Sequence, residues 1–265
     1  MKKYWKWIVL VLVIIVAIIG VILYRRDSHG KPFKASLNTE KAMMGPDWYA
    51  TVKLKANPGA KYSVENKDGK VINGTKTTKS GKADIRIGKA GSFVVIAKSD
   101  NGHVTKKLPV KVTYYKKNIN KETNKVGPMS FKIKKIEYSM VTKGGESTIN
   151  NVEAYNTLHK HFYRITVYYT AINHSKYAIS SLGSVWSPVI DGNRAISVDN
   201  SDGTSYAESS IRESGVEVPA HGKTEGTFKI NSNEKLTVKN LKIHTNQFSA
   251  DNDDKYFKGG TAKLE

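Results

Sequence analysis

Alternation with a period of two governs this chain more than any other pattern. Thr51-Val52-Lys53-Leu54-Lys55, Ala83-Asp84-Ile85-Arg86-Ile87 and Val110-Lys111-Val112-Thr113 switch between apolar and polar at nearly every step. Successive side chains of a strand point to opposite faces, so such runs predict strands with one buried and one wet face. Phe93-Val94-Val95-Ile96-Ala97 is a continuous apolar run that suits a central strand. Turn signals separate these runs at Asn57-Pro58-Gly59, Asp68-Gly69, Asn73-Gly74, Ser80-Gly81 and Asn101-Gly102. No amphipathic helical pattern of useful length appears. Short strands spaced about ten residues apart predict an all-β sandwich.

One segment departs from this pattern. Ile8 to Leu23 has no charge or strongly polar side chain, and Trp7 and Tyr24 extend it to eighteen residues. At the helical rise these span roughly 27 Å, close to the hydrocarbon thickness of a bilayer. Tyr4, Trp5 and Trp7 at one end and Tyr24 at the other suit the two interfaces, with Lys2, Lys3 and Lys6 before and Arg25 and Arg26 after. A cleavable signal peptide is the rival, but its apolar run is shorter and ends in small residues. Here the run ends Val21-Ile22-Leu23-Tyr24-Arg25-Arg26. Residues 1–26 are therefore expected to be a cytoplasmic tail and transmembrane signal anchor. That places the chain in the cell membrane as an integral, single-pass protein, N-terminus inside and soluble part extracellular.

Charge divides the remainder. The formal net charge is +20; residues 1–128 carry 26 Lys/Arg against 8 Asp/Glu, and residues 129–265 carry 17 against 15. Lys116 to Pro128 is polar and basic with little to bury, as a linker would be. The expected organisation is a basic sandwich at 35–115, a linker at 116–128, a second sandwich at 129–248 and a flexible tail at 249–265. Strands of the second sandwich are expected at Phe131–Tyr138, His161–Asn173, Val185–Ile190, Lys223–Ile230 and Leu236–His244. Thr142–Leu158 and Val198–Gly215 read as irregular loops.

The absence of cysteine excludes disulfides, thiolate metal sites and a cysteine nucleophile. His159-Lys160-His161 puts two imidazoles on one strand face, the start of a metal site that lacks a third ligand in sequence. The oxygen-rich runs Asp199-Asn200-Ser201-Asp202-Gly203 and Asp251-Asn252-Asp253-Asp254 lack the glycine and distal glutamate of a calcium loop. Ser28-x-x-Lys31, Lys79-Ser80-Gly81 and Ser99-Asp100-Asn101 occur in the wrong order for a penicillin-binding site. No nucleophile elbow, zinc-protease motif, phosphate loop or dinucleotide fingerprint is present. The expectation is no enzyme, no cofactor and no metal.

Gly91-x-Phe93-Val94-Val95 before Leu108-Pro109-Val110-Lys111-Val112 looks like the immunoglobulin-like modules of bacterial surface proteins. Three further stretches occur in order: Tyr163-x-Ile165-x-Val167 leading to Asn173-x-Ser175, then Trp186 with the turn Asp191-Gly192, then Pro219-x-x-Gly222-Lys223-x-x-Gly226-x-Phe228. Together they resemble an immunoglobulin-like family of unknown function from Gram-positive membrane-attached and lipid-anchored proteins, related in fold to a mycobacterial immunoprotective extracellular protein. The resemblance implies an extracytoplasmic β-sandwich and no established reaction. Many relatives carry a lipobox cysteine, which this chain lacks.

The expected fold is thus all-β, one N-terminal transmembrane helix followed by two immunoglobulin-like β-sandwiches. Lys53, Lys55, Arg86 and Lys111, with Lys116 and Lys117, are the expected polyanion-binding residues. The expected function is that of a non-enzymatic, membrane-anchored cell-surface binding or scaffold protein. Its basic half meets anionic lipid or a wall polyanion, and its second sandwich is displayed for a protein or glycan partner. Tyr114-Tyr115-Lys116-Lys117 gives the alternative of a nucleic-acid receptor, weakened by the scarcity of aromatic residues among the basic ones. A regulatory subunit of a membrane or cell-wall complex is the other alternative.

Overall fold

The computed structural model describes residues 32–144, 152–181, 186–190, 194–196, 205–209, 217–250 and 255–264. The strands before the midpoint are β1 (Ala35–Leu37), β2 (Lys41–Met43), β3 (Ala50–Ala56), β4 (Lys61–Asn66), β5 (Val71–Thr77), β6 (Lys82–Ile87), β7 (Gly91–Lys98) and β8 (Thr105–Thr113). After them come β9 (Lys116–Glu122), β10 (Met129–Thr142), the helix α1 (Val152–Thr157), β11 (His161–Asn173), β12 (Ile179–Ser181) and β13 (Trp186–Ile190). The chain continues with β14 (Arg194–Ala195), β15 (Ser205–Ser209), β16 (Lys223–Ser232), β17 (Lys242–Ala250) and β18 (Tyr256–Lys263).

The described chain is all-β, arranged in four sheets: β1-β3-β6, β2-β8-β7-β4-β5, β15-β16-β11-β10-β9 and β12-β17-β13-β14 with β18 paired to β17. The alternation of the sequence becomes alternation of burial. In β3, Ala50, Val52 and Leu54 are buried while Thr51, Lys53 and Lys55 are exposed. Ile85 and Ile87 do the same around Arg86 in β6.

The expectation of a transmembrane helix followed by two immunoglobulin-like sandwiches requires correction. No helix among the described residues is long and apolar enough to cross a membrane. A span needs about 20 apolar residues, and α1 has only 6. The segment 1–26, on which the anchor expectation falls, lies outside the described residues. Other stretches also differ from their reading: the expected irregular loops Thr142–Leu158 and Val198–Gly215 contain α1 and β15. Lys116–Glu122, inside the expected linker, is β9, and Tyr256–Lys263, inside the expected tail, is β18.

The chain divides into two compact units. The first comprises the described residues to Asn38, with Lys53–Ala83 and Val94–Leu108. The second comprises Thr39–Val52, Asp84–Phe93 and Pro109–Glu265. Within the first, β4 and β5 pair antiparallel, Lys61 opposite Thr77. The Ala56 amide donates to the Gly81 carbonyl at 2.7 Å. Gly81 has φ +76°, and a Cβ there would lie 2.3 Å from the Ala56 oxygen, so this turn admits only glycine.

The second unit is a sandwich, because its two large sheets share one core. Phe131, Ile133, Ile136, Val167 and Phe228 from one sheet pack in a cluster with Ile243, Phe248 and Ala262 from the other. Phe228 is wholly buried and its ring stacks on Tyr169 at 4.7 Å. Burying a side chain of this size contributes about 2–3 kcal/mol. Trp48 joins the same core at 2% exposure, with its ring centroid 4.6 Å from Tyr138 and 5.0 Å from Tyr163. Its indole N–H donates to the Leu236 carbonyl at 2.6 Å. The backbone at Trp48 is left-handed, φ 63°. The turn Gly45–Tyr49, closed by the Gly45 amide to the Tyr49 carbonyl at 2.8 Å, holds that strained conformation.

Candidate functional site

The six expected polyanion-binding residues fall on three different sheets. Lys53 and Lys55 are exposed on β3 and Lys111 is exposed on β8. Arg86, on β6, is 2.7 Å from the Asp47 carboxylate and its guanidinium lies 4.2 Å from the Tyr49 ring centre. Lys116 and Lys117 are exposed on β9, and Lys116 forms an ion pair with Glu137 at 2.9 Å. Two of the six, Arg86 and Lys116, thus have carboxylate partners.

Within the first unit the pattern is simpler. Its described residues contain twelve lysines and no arginine, against Glu65, Asp68 and Asp100, a net of +9. Every one of those lysines is exposed. The ion pairs among the described residues, at Asp47, Glu137 and Glu225, all belong to the second unit. These described lysines thus keep their charge turned to solvent, with no ion pair among the described residues holding them in place.

The second unit carries a cleft of about 420 Å³ on the outer face of its five-stranded sheet. A β-bulge builds it. Along β10, Phe131 and Ile133 point into the core, and strict alternation would send Lys135, Glu137 and Ser139 inward after them. The pairing with β11 instead shifts register between Ile133 and Lys135. One extra residue reverses the parity, so Ile136 and Tyr138 are buried and Lys135, Glu137 and Ser139 face out. Register then sets a cross-strand row, Lys229 opposite Thr166, Thr166 opposite Glu137, and Glu137 opposite Lys116. Tyr114, Tyr115 and Tyr168 add half-buried rings to the lining.

Electrostatics pin the centre of this cleft. Burial alone would raise the Glu137 carboxyl, but Lys116 and Lys135, each 2.9 Å from Oε1, and Tyr168 bring it down to about 2. Glu137 is therefore a fixed acceptor at any physiological pH. Tyr168 hydrogen-bonds to Glu137, which raises its phenol, and the Lys135 ammonium sits 4.1 Å from the centre of the Tyr168 ring. Arg164 reaches the same cleft with its Nε–H donated to Asn231 at 2.7 Å. Sequence reasoning named Lys116 only as a cation and missed Glu137 and Tyr168. The available signal was the break in alternation at Ile133-Lys134-Lys135-Ile136.

Other residues singled out in the sequence are scattered. His159 and His161 are exposed, and His161 Nδ1 lies 3.0 Å from Thr142 Oγ1. Among the described residues no group of three His, Cys, Asp or Glu is placed to hold a metal. The runs 199–203 and 251–254 lie outside the described residues. Ser130, a buried serine, donates to Glu122 at 2.5 Å and lies 2.8 Å from His174 Nε2. With its one proton directed to the carboxylate, Ser130 serves as a bridge and not as an activated nucleophile.

No family model matches the chain, and no curated protein matches it. Among solved structures it is similar to a functionally unknown protein from Listeria monocytogenes EGD-e. The identity is 15%, over 56% of this chain and 84% of that one, with a TM-score of 0.36. It is also similar to bovine butyrophilin, at 9% identity over 89% of this chain and 100% of that one, with a TM-score of 0.26.

Proposed function

We propose that the chain is a non-enzymatic binding or scaffold protein of a Gram-positive cell surface, built from immunoglobulin-like sandwiches. Its first unit contacts a polyanion, either anionic lipid or wall polymer, and its second is displayed for a protein or glycan partner. One observation carries this reading: among the described residues, the lysines of the first unit are all exposed and none is in an ion pair. Lysines on exposed strands also discourage edge-to-edge aggregation. That role does not require a net of +9 over three short stretches. Each cation near an anionic surface contributes about 1 kcal/mol, screened within about 8 Å at physiological salt. Support for the immunoglobulin-like reading is the antiparallel two-sheet core of the second unit and the alternating strands before it.

The test is binding of the full chain to teichoic acid and to vesicles rich in anionic lipid across a salt series. Affinity is expected to fall steeply with salt, and DNA in competition distinguishes a general polyanion surface from one suited to the wall polymer. Binding that ignores salt, or none at low salt, contradicts the proposal.

A further inference from the structure

The geometry points to a binding site for a neutral saccharide in the outer-face cleft of the second unit, built around Glu137. This deepens the glycan half of the function proposed above and rests on it only for the idea of display, since the cleft stands on its own geometry.

The chemistry of the lining selects the ligand class. Glu137 is an acceptor fixed by two ammonium groups at 2.9 Å. Lys116 and Arg164 are donors only, and Tyr168, whose one proton goes to Glu137, can only accept, whereas the hydroxyls of Ser139 and Thr166 can do either. Donors, an acceptor and ambivalent hydroxyls within one shallow cleft match a ligand whose own hydroxyls both donate and accept. Tyr114 and Tyr115 pack edge-on against Trp48 and Tyr138 of the core, and the part of each ring left exposed at the cleft suits the C–H face of a sugar ring at low entropic cost. A phosphate polymer would have to compete for Lys116 and Lys135 with the Glu137 carboxylate that already holds them. A proline-rich peptide requires apolar slots between rings, and here the floor between the tyrosines is charged.

The bulge strengthens the assignment. An extra residue disrupts the ladder locally, and bulges recur where a side chain must be re-aimed. Here the shift between Ile133 and Lys135 turns Glu137 out of the core and opposite Lys116 and Thr166. A sheet meant only to cover a core has no need of a carboxylate, two lysines and a tyrosine locked together on its solvent side.

The test titrates the full chain with a panel of short neutral hexose and N-acetylhexosamine oligosaccharides, at low and at high salt, following amide shifts by NMR. At least one sugar is expected to bind with an affinity insensitive to salt and to shift resonances of β10 and β11. Glu137→Gln keeps the shape but removes the fixed charge, and is expected to weaken binding about tenfold. Thr166→Val, which removes one hydroxyl and leaves the lysine pairs intact, is expected to weaken it several-fold. Replacing Lys76, Lys79, Lys106 and Lys107 of the first unit by glutamine should leave sugar binding unchanged while weakening polyanion binding, so the two proposals fail separately. Absence of binding across the panel would overturn the inference, as would sugar binding that neither cleft variant alters. Capture of a peptide or an anionic polymer at β10 and β11 in place of the sugars would overturn it too.

Discussion

The two units use positive charge in opposite ways. Among the described residues of the first, twelve lysines stand exposed against three carboxylates. In the second, several cations are tied down: Arg86 lies on Asp47 and the Tyr49 ring, and Lys135 on Glu137 and the Tyr168 ring. Lys235 lies 4.8 Å from the Tyr49 ring centre, and Lys255 lies 4.4 Å from that of Tyr177. An untethered lysine is a strongly hydrated point charge on a flexible stem, suited to any anion that comes within a Debye length. A lysine held by a carboxylate and a ring has a fixed direction, which favours recognition by shape and hydrogen bonding. One unit is thus organised for charge and the other for geometry.

The largest effect expected from a single change lies in the second unit's core. Phe228→Ala should destabilise it by about 3–5 kcal/mol, measured by denaturant unfolding. The four-lysine replacement in the first unit should leave stability within about 0.5 kcal/mol. It should nonetheless reduce affinity for an anionic polymer at low salt by roughly tenfold or more, since each surface cation contributes about 1 kcal/mol. Equal losses of stability from both changes would break the comparison.

Acid sharpens it. Glu137 has a folded-state value of about 2, below the ordinary 4.5, so the native state binds its proton less readily than the unfolded chain. The stability this provides is complete above about 4.5 and is lost as pH falls toward 2. Glu137→Gln should flatten that acid limb in a pH series of unfolding midpoints. No carboxylate of the first unit shares an ion pair among the described residues.

A smaller effect belongs to His174. Burial, then the neighbouring Lys125 and also His221, lower its value below 6.5, opposed by Glu122. Its contribution is present above 6.5 and lost as pH falls through the lower folded value. His174→Asn should remove this step and leave the Glu137 step in place. Last is Arg86→Lys, which retains charge at an exposed pair and should cost no more than about 1 kcal/mol, detectable by a small fall in melting temperature.

Much of the strand framework was legible because burial writes itself into side-chain alternation. β3, β6 and the end of β8 follow the alternating runs, and β11 spans the expected His161–Asn173. β9 was not legible: it lies at a sheet edge and buries none of its side chains fully, so backbone pairing with β10 forms it without an apolar signature. β18 likewise carries two adjacent glycines and pairs with β17 through its backbone. The strand expected at Leu236–His244 begins instead at Lys242. The earlier part of that stretch is irregular, with Leu236 buried and its carbonyl accepting from Trp48. Lys53 and Lys55 could be placed on a wet face from sequence alone. The cleft could not, because Lys116, Glu137 and Thr166 become neighbours only through register and a bulge.

The most direct measurement is the salt dependence of full-chain binding to teichoic acid, for the native sequence and for the four-lysine variant side by side. The expected result is a steep loss of affinity with salt in the native chain and a distinctly shallower slope in the variant. Identical slopes, or binding by the native chain that salt does not weaken, would contradict the assignment of charge-driven contact to the first unit.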